Sequence, residues 1–530
     1  MELGLMANFV SANALILMVL FSCIPISYLL FSTRIFSKKK QYHHPDFYPY
    51  PIVGHLPQFL RHRRNFLDWS TKILAASPSY TIVFQRLGNM NGVITANPIN
   101  VEHMLKSNFD NFPKGSRFRS ILHDFLGHGI FNCNGSLWRL QRKTASFEFS
   151  TRSLRSFIHR AVADEISFRL LPLLRRAASS GHSLDLQEIL EHFAFDNICK
   201  VAFDVDPACL DPEPSAAGTL VGLATGFASA FCIATELSAG RFRYVIPGFW
   251  KVKKLLDVGS ERKLRESIAT VHNFALQIIR SMKMKHNLSS STNDLLARFI
   301  ADEGNSSDEF LRDIVVSFLL AGRETTSSAL TWFFWLLSTQ PTVEHNILTE
   351  IAAVRSRFGS AVGTALSLEE LREMHYLCAA LTEAMRLYPP VPFNSCECEA
   401  DDVLPDGTEI KKGWFMSYNA YAMGRMEGIW GNDCRDYRPE RWLDAGVAGG
   451  EFRQESPFKF PAFHGGPRMC LGKEMAYIQM KSIVACVLEG FVVEVLRDKH
   501  TCPDLIPSLT LRMGGGLPVR TKERFAAKNV

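Results

Sequence analysis

Between Phe463 and Gly472 the chain reads Phe-His-Gly-Gly-Pro-Arg-Met-Cys-Leu-Gly, and no other segment constrains the fold as strongly. Its form is FxxGxRxCxG. The glycines at 465 and 466 let the backbone bend tightly and come close to a flat partner. A helix is expected from about Gly472 through Leu488. Its N-terminus would follow Cys470, stabilise negative charge on sulfur and lower the thiol pKa. The segment thus presents one cysteine as a thiolate at the end of a turn. Phe463 is placed to pack beside the sulfur, and Arg468 to pair with an anionic group of the partner. An isolated cysteine in a glycine-rich turn would be a buried structural thiol. The company this one keeps argues against that.

Three further motifs carry chemistry. Ala321-Gly322-Arg323-Glu324-Thr325-Thr326 lies in the middle of a long apolar helix. A glycine beside a ligand site leaves room for dioxygen. An acid followed by a hydroxyl residue offers the proton route that O₂ cleavage requires. The plain alternative is a solvated Glu and a Thr bonded back to its own helix. Glu383-Ala-Met-Arg386 puts an acid and a base on one helix face, with Arg441 arriving from a distant loop. Trp138 and Arg142, at i and i+4, also share a face. An interface Trp beside a solvated Arg is the alternative there.

In their order along the chain, these motifs resemble the cytochrome P-450 superfamily over essentially its whole length. The resemblance implies a mainly α fold with a small β region and a haem-thiolate monooxygenase. Its cofactor is haem b, iron protoporphyrin IX, with Cys470 as the iron ligand. Thiolate ligation pushes electron density to iron and favours O–O cleavage. Glu324 and Thr325 become the catalytic proton pair. Trp138, Arg142 and Arg468 reach haem propionates, and Phe463 packs at the sulfur. Glu383, Arg386 and Arg441 form a structural network. Electrons come from NADPH through a flavoprotein reductase, for which Arg438, Arg468, Lys473 and Lys481 are a candidate basic docking patch.

The N-terminal segment from Ala14 to Phe31 is apolar and free of charge, close to the length a bilayer-spanning helix needs. No basic residue precedes Arg34, which disfavours a secretory signal. Arg34, Lys38, Lys39 and Lys40 follow, so the bulk of the chain is expected on the cytosolic side. The expected organisation is a membrane anchor over 1–33, a basic, Pro-rich and extended linker over 34–60, and one catalytic domain over 61–530, at the endoplasmic reticulum membrane. The sequons at Asn134, Asn287 and Asn305 would then go unused. A net charge of +6 is far from a nucleic-acid signature, and no nucleic-acid partner is expected. The twelve cysteines contain no CxxC pair and are expected to be reduced.

Residues 80–97 alternate apolar and polar and predict a small sheet, with Gly88, Asn91 and Gly92 as the turn. Ser306-x-x-Glu309 predicts the cap of the long helix, about 45 Å reaching towards Leu337. Ser367-x-x-Glu370 opens another, stopped near Tyr388 by Pro389-Pro390. Asp406-Gly407 predicts a hairpin turn.

The strings Asn111-Phe-Pro-Lys-Gly, Phe125-Leu-Gly-His-Gly-Ile-Phe131, Gly259-Ser-Glu-Arg-Lys-Leu-Arg265, Tyr418-Asn-Ala-Tyr-Ala-Met-Gly-Arg-Met426 and Gly472-Lys-Glu-Met-Ala476 resemble the plant branch that hydroxylates the terminal carbon of fatty acids and related lipids. A terminal methyl has stronger C–H bonds than its neighbours, so selectivity must come from positioning in a narrow channel. Candidate walls are Phe118, Leu122, Phe125, Leu126, Phe131, Phe318, Ala321 and Val391-Pro392-Phe393. Arg117 or Arg119 is a candidate for a carboxylate at the mouth. Fatty-acid ω-hydroxylation is the first reading. Terminal (C-26 type) oxidation of a sterol side chain, in plant steroid or steroidal-alkaloid synthesis, is the alternative. Jasmonate-conjugate hydroxylation and a reductase-independent haem isomerase stand behind them.

Overall fold

The computed structural model describes residues 46–86, 90–149, 152–211, 219–244, 246–288, 295–301, 307–444 and 450–524. The expected anchor over 1–33 lies outside the described residues, as do Gly88 and Asn305. Among the described residues, no helix is long and apolar enough to cross a membrane.

The architecture is mainly helical with small sheets. The helices that matter for the site are α1 (Ser116–Leu126), α2 (Gly135–Phe149), α3 (Leu186–Phe203), α4 (Thr219–Gly240), α5 (Phe249–Leu255), α6 (Asp308–Leu319), α7 (Thr325–Leu337), α8 (His375–Leu387) and α9 (Lys473–Gly490). The strands that matter for the site are β1 (Thr81–Arg86), β2 (Met90–Thr95), β3 (Phe393–Glu397), β4 (Phe415–Asn419) and β5 (Leu511–Met513). β1 to β4 make one sheet in the order β1-β2-β4-β3. β1 and β2 pair antiparallel from Thr81↔Thr95 to Arg86↔Met90. Asn91 and Gly92 therefore lie inside β2 rather than in the turn. Gly92 is needed for another reason: a Cβ there would meet the Phe415 carbonyl of the parallel neighbour β4 at 2.6 Å.

The long central helix forms, with two departures from expectation. Its cap is Ser307, whose hydroxyl accepts from the Phe310 amide; Ser306 lies outside the described residues. Between α6 and α7, residues Leu320–Glu324 widen into a π-turn. Such a turn inserts a residue into the helix and is frequent at functional sites. The capping box at Ser367 and Glu370 forms with both hydrogen bonds in place. It starts only the short helix Leu368–Glu373, and the chain breaks at Met374 before α8. Asp406-Gly407 does turn a short hairpin, with Gly407 at φ 84°.

The described part of the Pro-rich stretch is packed rather than extended. Tyr50 and Gly54 bridge antiparallel, Gly54 bridges to Arg86, and Phe47 is buried against His55 and Trp69. The chain joins the sheet-side core from about residue 46, because an aromatic at 47 gains more by burial than by remaining on an extended arm.

Candidate active site

The segment around Cys470 folds as a tight loop closed by a hydrogen bond from the Cys470 amide to the Phe463 carbonyl, 2.8 Å. Gly466 sits at φ 63°, and a Cβ there would lie 1.8 Å from the Leu105 carbonyl oxygen. Only glycine lets the loop dock so closely on the chain before it. α9 begins at Lys473, with Gly472 as its cap. Cys470 lies deep within the protein yet keeps accessible surface, so its sulfur faces an internal cleft. Burial raises its pKa; the Gly472 amide, Arg142 and Lys473 oppose this without reversing it. The expected net lowering by the helix terminus is not what the protein chain alone produces, because desolvation of a thiolate outweighs one helix end.

The central helix borders a cleft in the same sense. Nearly all of Leu311–Leu337 is buried, but Ala321, Gly322 and Thr325 in its middle retain accessible surface. Phe149 links the two parts: it stands 3.9 Å from the Cβ position at Gly472 and stacks on Phe318 at 6.3 Å. Phe463 packs on Tyr477 of α9, with Lys473 over its ring.

Three cations gather near the loop. Arg468 lies over the Trp138 ring at 4.5 Å and donates to the Cys133 carbonyl and the Asn134 side chain, both at 3.0 Å. Arg142 makes no hydrogen bond among the described residues, and burial lowers its pKa. Lys114 lies against Arg468 in a small cavity also lined by Leu105, Cys396, Tyr418 and His464. Burial, then repulsion from Arg468, brings Lys114 down to about 8; burial brings Arg468 down to about 10. None of the three has an ion-pair partner among the described residues. Half-buried cations without carboxylates are costly unless an anion joins them. The fit to haem is therefore good: a sulfur facing a cleft, a glycine cradle, and cations for propionates. Lys114 was missed in the sequence because a Lys before a Gly in a loop reads as surface. Asn134 is also explained, since its side chain is bonded to Lys114 and Arg468 on both ends.

Several expectations need correction. Gly322 does not simply leave room for dioxygen: a Cβ there would lie 2.4 Å from Ile198 of α3, so the glycine is demanded by helix packing. Thr325 donates to the Ala321 carbonyl at 2.6 Å while keeping accessible surface. Glu324 is not solvated. It is buried, paired with Arg323, and accepts from Thr510 at 3.0 Å. Burial raises its pKa, Glu191 adds to the rise, and Arg323, Arg512 and Thr510 oppose it. Leu122, Phe125 and Leu126 are fully buried core residues rather than open walls, Phe125 against Phe231 of α4. Phe118, Val391 and Phe393 remain partly accessible, and Phe131 is exposed. The basic patch dissolves in part. Lys481 turns inward to the Leu371 carbonyl, Arg468 turns towards Trp138, and Arg438 pairs with Asp433.

A second pair of unmatched cations stands at the edge of the sheet. Arg86 at the end of β1 and Arg117 in α1 are both half-buried and within electrostatic reach of each other. Burial and Arg117 bring Arg86 down to about 10, and burial lowers Arg117. Arg86 donates to the Tyr244 carbonyl at 3.4 Å; Arg117 contacts the Met90 sulfur and lies over the Phe415 ring. Neither has a carboxylate partner among the described residues. Arg119 is simply exposed.

A family model described as cytochrome P450 matches residues 45–516. Among curated proteins, the chain is similar to cytochrome P450 CYP94D108 of Paris polyphylla, 51% identical over 474 residues, 89% of this chain and 92% of that one. It is similar to cytochrome P450 94B1 of Arabidopsis thaliana at 45%, covering 90% and 91%. Cytochrome P450 94A1 of Vicia sativa is 42% identical, covering 90% of each.

Proposed function

The chain belongs to the cytochrome P450 family, and from that premise we propose that it hydroxylates the terminal carbon of a fatty acid. As a family member it is a haem-thiolate monooxygenase, an oxidoreductase of the plant CYP94 group. When bound, haem supplies reductive activation of O₂ and insertion of one oxygen atom into a C–H bond. In this reading Cys470 ligates the iron. Arg142, Arg468 and Lys114 hold the propionates, with Trp138 stacked beneath Arg468. Thr325 and Glu324 bring protons to the oxygen side, and a membrane NADPH-dependent reductase supplies electrons.

The observation that carries the substrate class is the Arg86–Arg117 pair. Two half-buried guanidiniums that repel each other and have no carboxylate partner among the described residues suit a ligand that brings its own. A sterol offers no such group. The neighbourhood supports delivery from a membrane. Tyr244, which accepts from Arg86, packs at 6.2 Å on Phe249 of α5. Phe249, Val252, Leu255 and Leu256 are exposed there, among Lys251, Lys253 and Lys254. Exposed apolar residues interleaved with lysines suit an interfacial helix. We therefore place the enzyme on the endoplasmic reticulum membrane, with its substrate mouth near the lipid.

Microsomes with reductase should convert long-chain free fatty acids to ω-alcohols. Arg117→Leu and Arg86→Leu should raise KM at least tenfold for the free acid and leave the methyl ester unaffected, since a charged hydrogen-bonded contact is worth about 1.5–3 kcal/mol. Equal effects on acid and ester would sink the carboxylate reading, and turnover of sterols alone would favour side-chain oxidation. Cys470→Ala should abolish the red-shifted Soret band of the reduced carbon monoxide complex.

A further inference from the structure

The charge cluster at the π-turn contains a residue with no place in the acid–alcohol pair. Glu191, on α3, accepts from Arg323 at 2.8 Å through one carboxylate oxygen and from Arg512 at 3.0 and 2.7 Å through the other. Cys232 of α4 lies 3.4 Å from Arg323 and 3.7 Å from Glu191. Arg323 also pairs with Glu324, to which Thr510 donates. The cluster is thus two carboxylates and two guanidiniums, tying the π-turn to α3, α4 and β5 with Thr510 just before it. It runs from full burial to solvent: Arg323 and Glu324 are each 1% exposed, Glu191 8% and Arg512 24%.

Without Glu191, two cations would face Glu324 alone, and a buried carboxyl so placed keeps its negative charge instead of a proton. We propose that Glu191 is a positioning residue for proton delivery: by neutralising Arg323 and Arg512 it leaves Glu324 able to carry and release a proton. The proposal rests on the reading of Glu324 as proton donor. The charged and titratable groups that act on Glu324 are Glu191 from α3, Cys232 from α4, Arg323 beside it, and Arg512 from β5; His192 of α3 neighbours Arg323 and Glu191. Burial lowers the pKa of His192, against Glu188 and Glu191, which raise it. Geometry and electrostatics agree in sign: Glu191 raises the affinity of Glu324 for its proton, and Arg512 reduces it.

The test uses reductase-supported turnover of the haem-loaded enzyme, measuring product formed per NADPH across pH. Activity that needs protonated Glu324 falls as pH rises through its titration. Glu191→Gln should move that alkaline limb to lower pH by about half a unit or more, about a threefold loss at a fixed pH on the limb, with KM unchanged. Arg512→Gln should move it to higher pH. General loosening of the fold cannot displace the limb in opposite directions. The reduced carbon monoxide spectrum shows that each variant has loaded haem. Should Glu191→Gln fail to load, Arg512→Gln alone decides. A limb that stays in place, or moves the same way in both variants, overturns the proposal. Glu324→Gln with wild-type coupling would instead overturn the donor reading.

Discussion

Two of the buried Glu–Arg clusters in this molecule, one around Glu383 and one at the π-turn, are built from the same chemistry and differ in how completely they are satisfied. In the first, Glu383 accepts from Arg386 Nε and Nη2 at 2.7 Å, from Trp442 at 2.8 Å, from the Arg438 amide at 3.0 Å and from Arg441 at 3.4 Å. Arg386 spends its remaining donors on the carbonyls of Gly424, Cys434 and Asp436. In the second, at the π-turn, Glu324 accepts from Arg323 and Thr510, and Arg323 Nε is buried without a partner among the described residues. The first sits on the regular helix α8 and pins the loop ahead of the Cys470 segment. The second sits where a helix has been widened. A fully satisfied network rigidifies, whereas an incompletely satisfied one keeps the freedom to exchange a proton or a partner.

The largest test of this contrast is Glu383→Gln. It leaves Arg386 buried with its charge unmatched, which should cost about 3–5 kcal/mol. We expect little folded, haem-loaded protein; a variant melting within a few degrees of wild type would show that the first cluster is not a clamp. Gly322→Ala comes next. Its methyl would press on Ile198 and force α3, with Glu191, away from the π-turn, costing about 1–3 kcal/mol in melting experiments and lowering coupling. Ile198→Ala in the same chain should restore much of both, and a double-mutant cycle would measure the coupling energy. The smallest effect belongs to Trp442→Phe, which removes one donor of several from Glu383. A loss of about 1 kcal/mol in stability is expected, with product per NADPH unchanged. A change in coupling there would erase the distinction between the two clusters.

Much of the site was legible because its chemistry is local. A tight loop before a helix, with glycines at 465 and 466, can be read from ten residues, and the i,i+3 pairing of Glu383 with Arg386 needs only helix geometry. The capping box at Ser367 was legible for the same reason. The π-turn was not: its residues are ordinary helix formers, and the insertion answers to packing against α3. Gly322 carried a misleading signal, since a glycine required by Ile198 looks in sequence like one required by a ligand. Lys114, Arg86, Glu191 and Arg512 were invisible as a group because each is an unremarkable charge in its own segment.

The sequence by itself determined the iron ligand candidate, the candidate acid and alcohol of the central helix, the helical character of the chain and its family. These depend on residue type at short, fixed spacing, where backbone geometry leaves few choices. Only the tertiary structure decided which charges would be left without partners. Glu191 lies 132 residues from Arg323, and Lys114 far from Arg468. Whether a buried charge is neutralised depends on what other segments bring to it, and that is fixed when helices and sheet pack together.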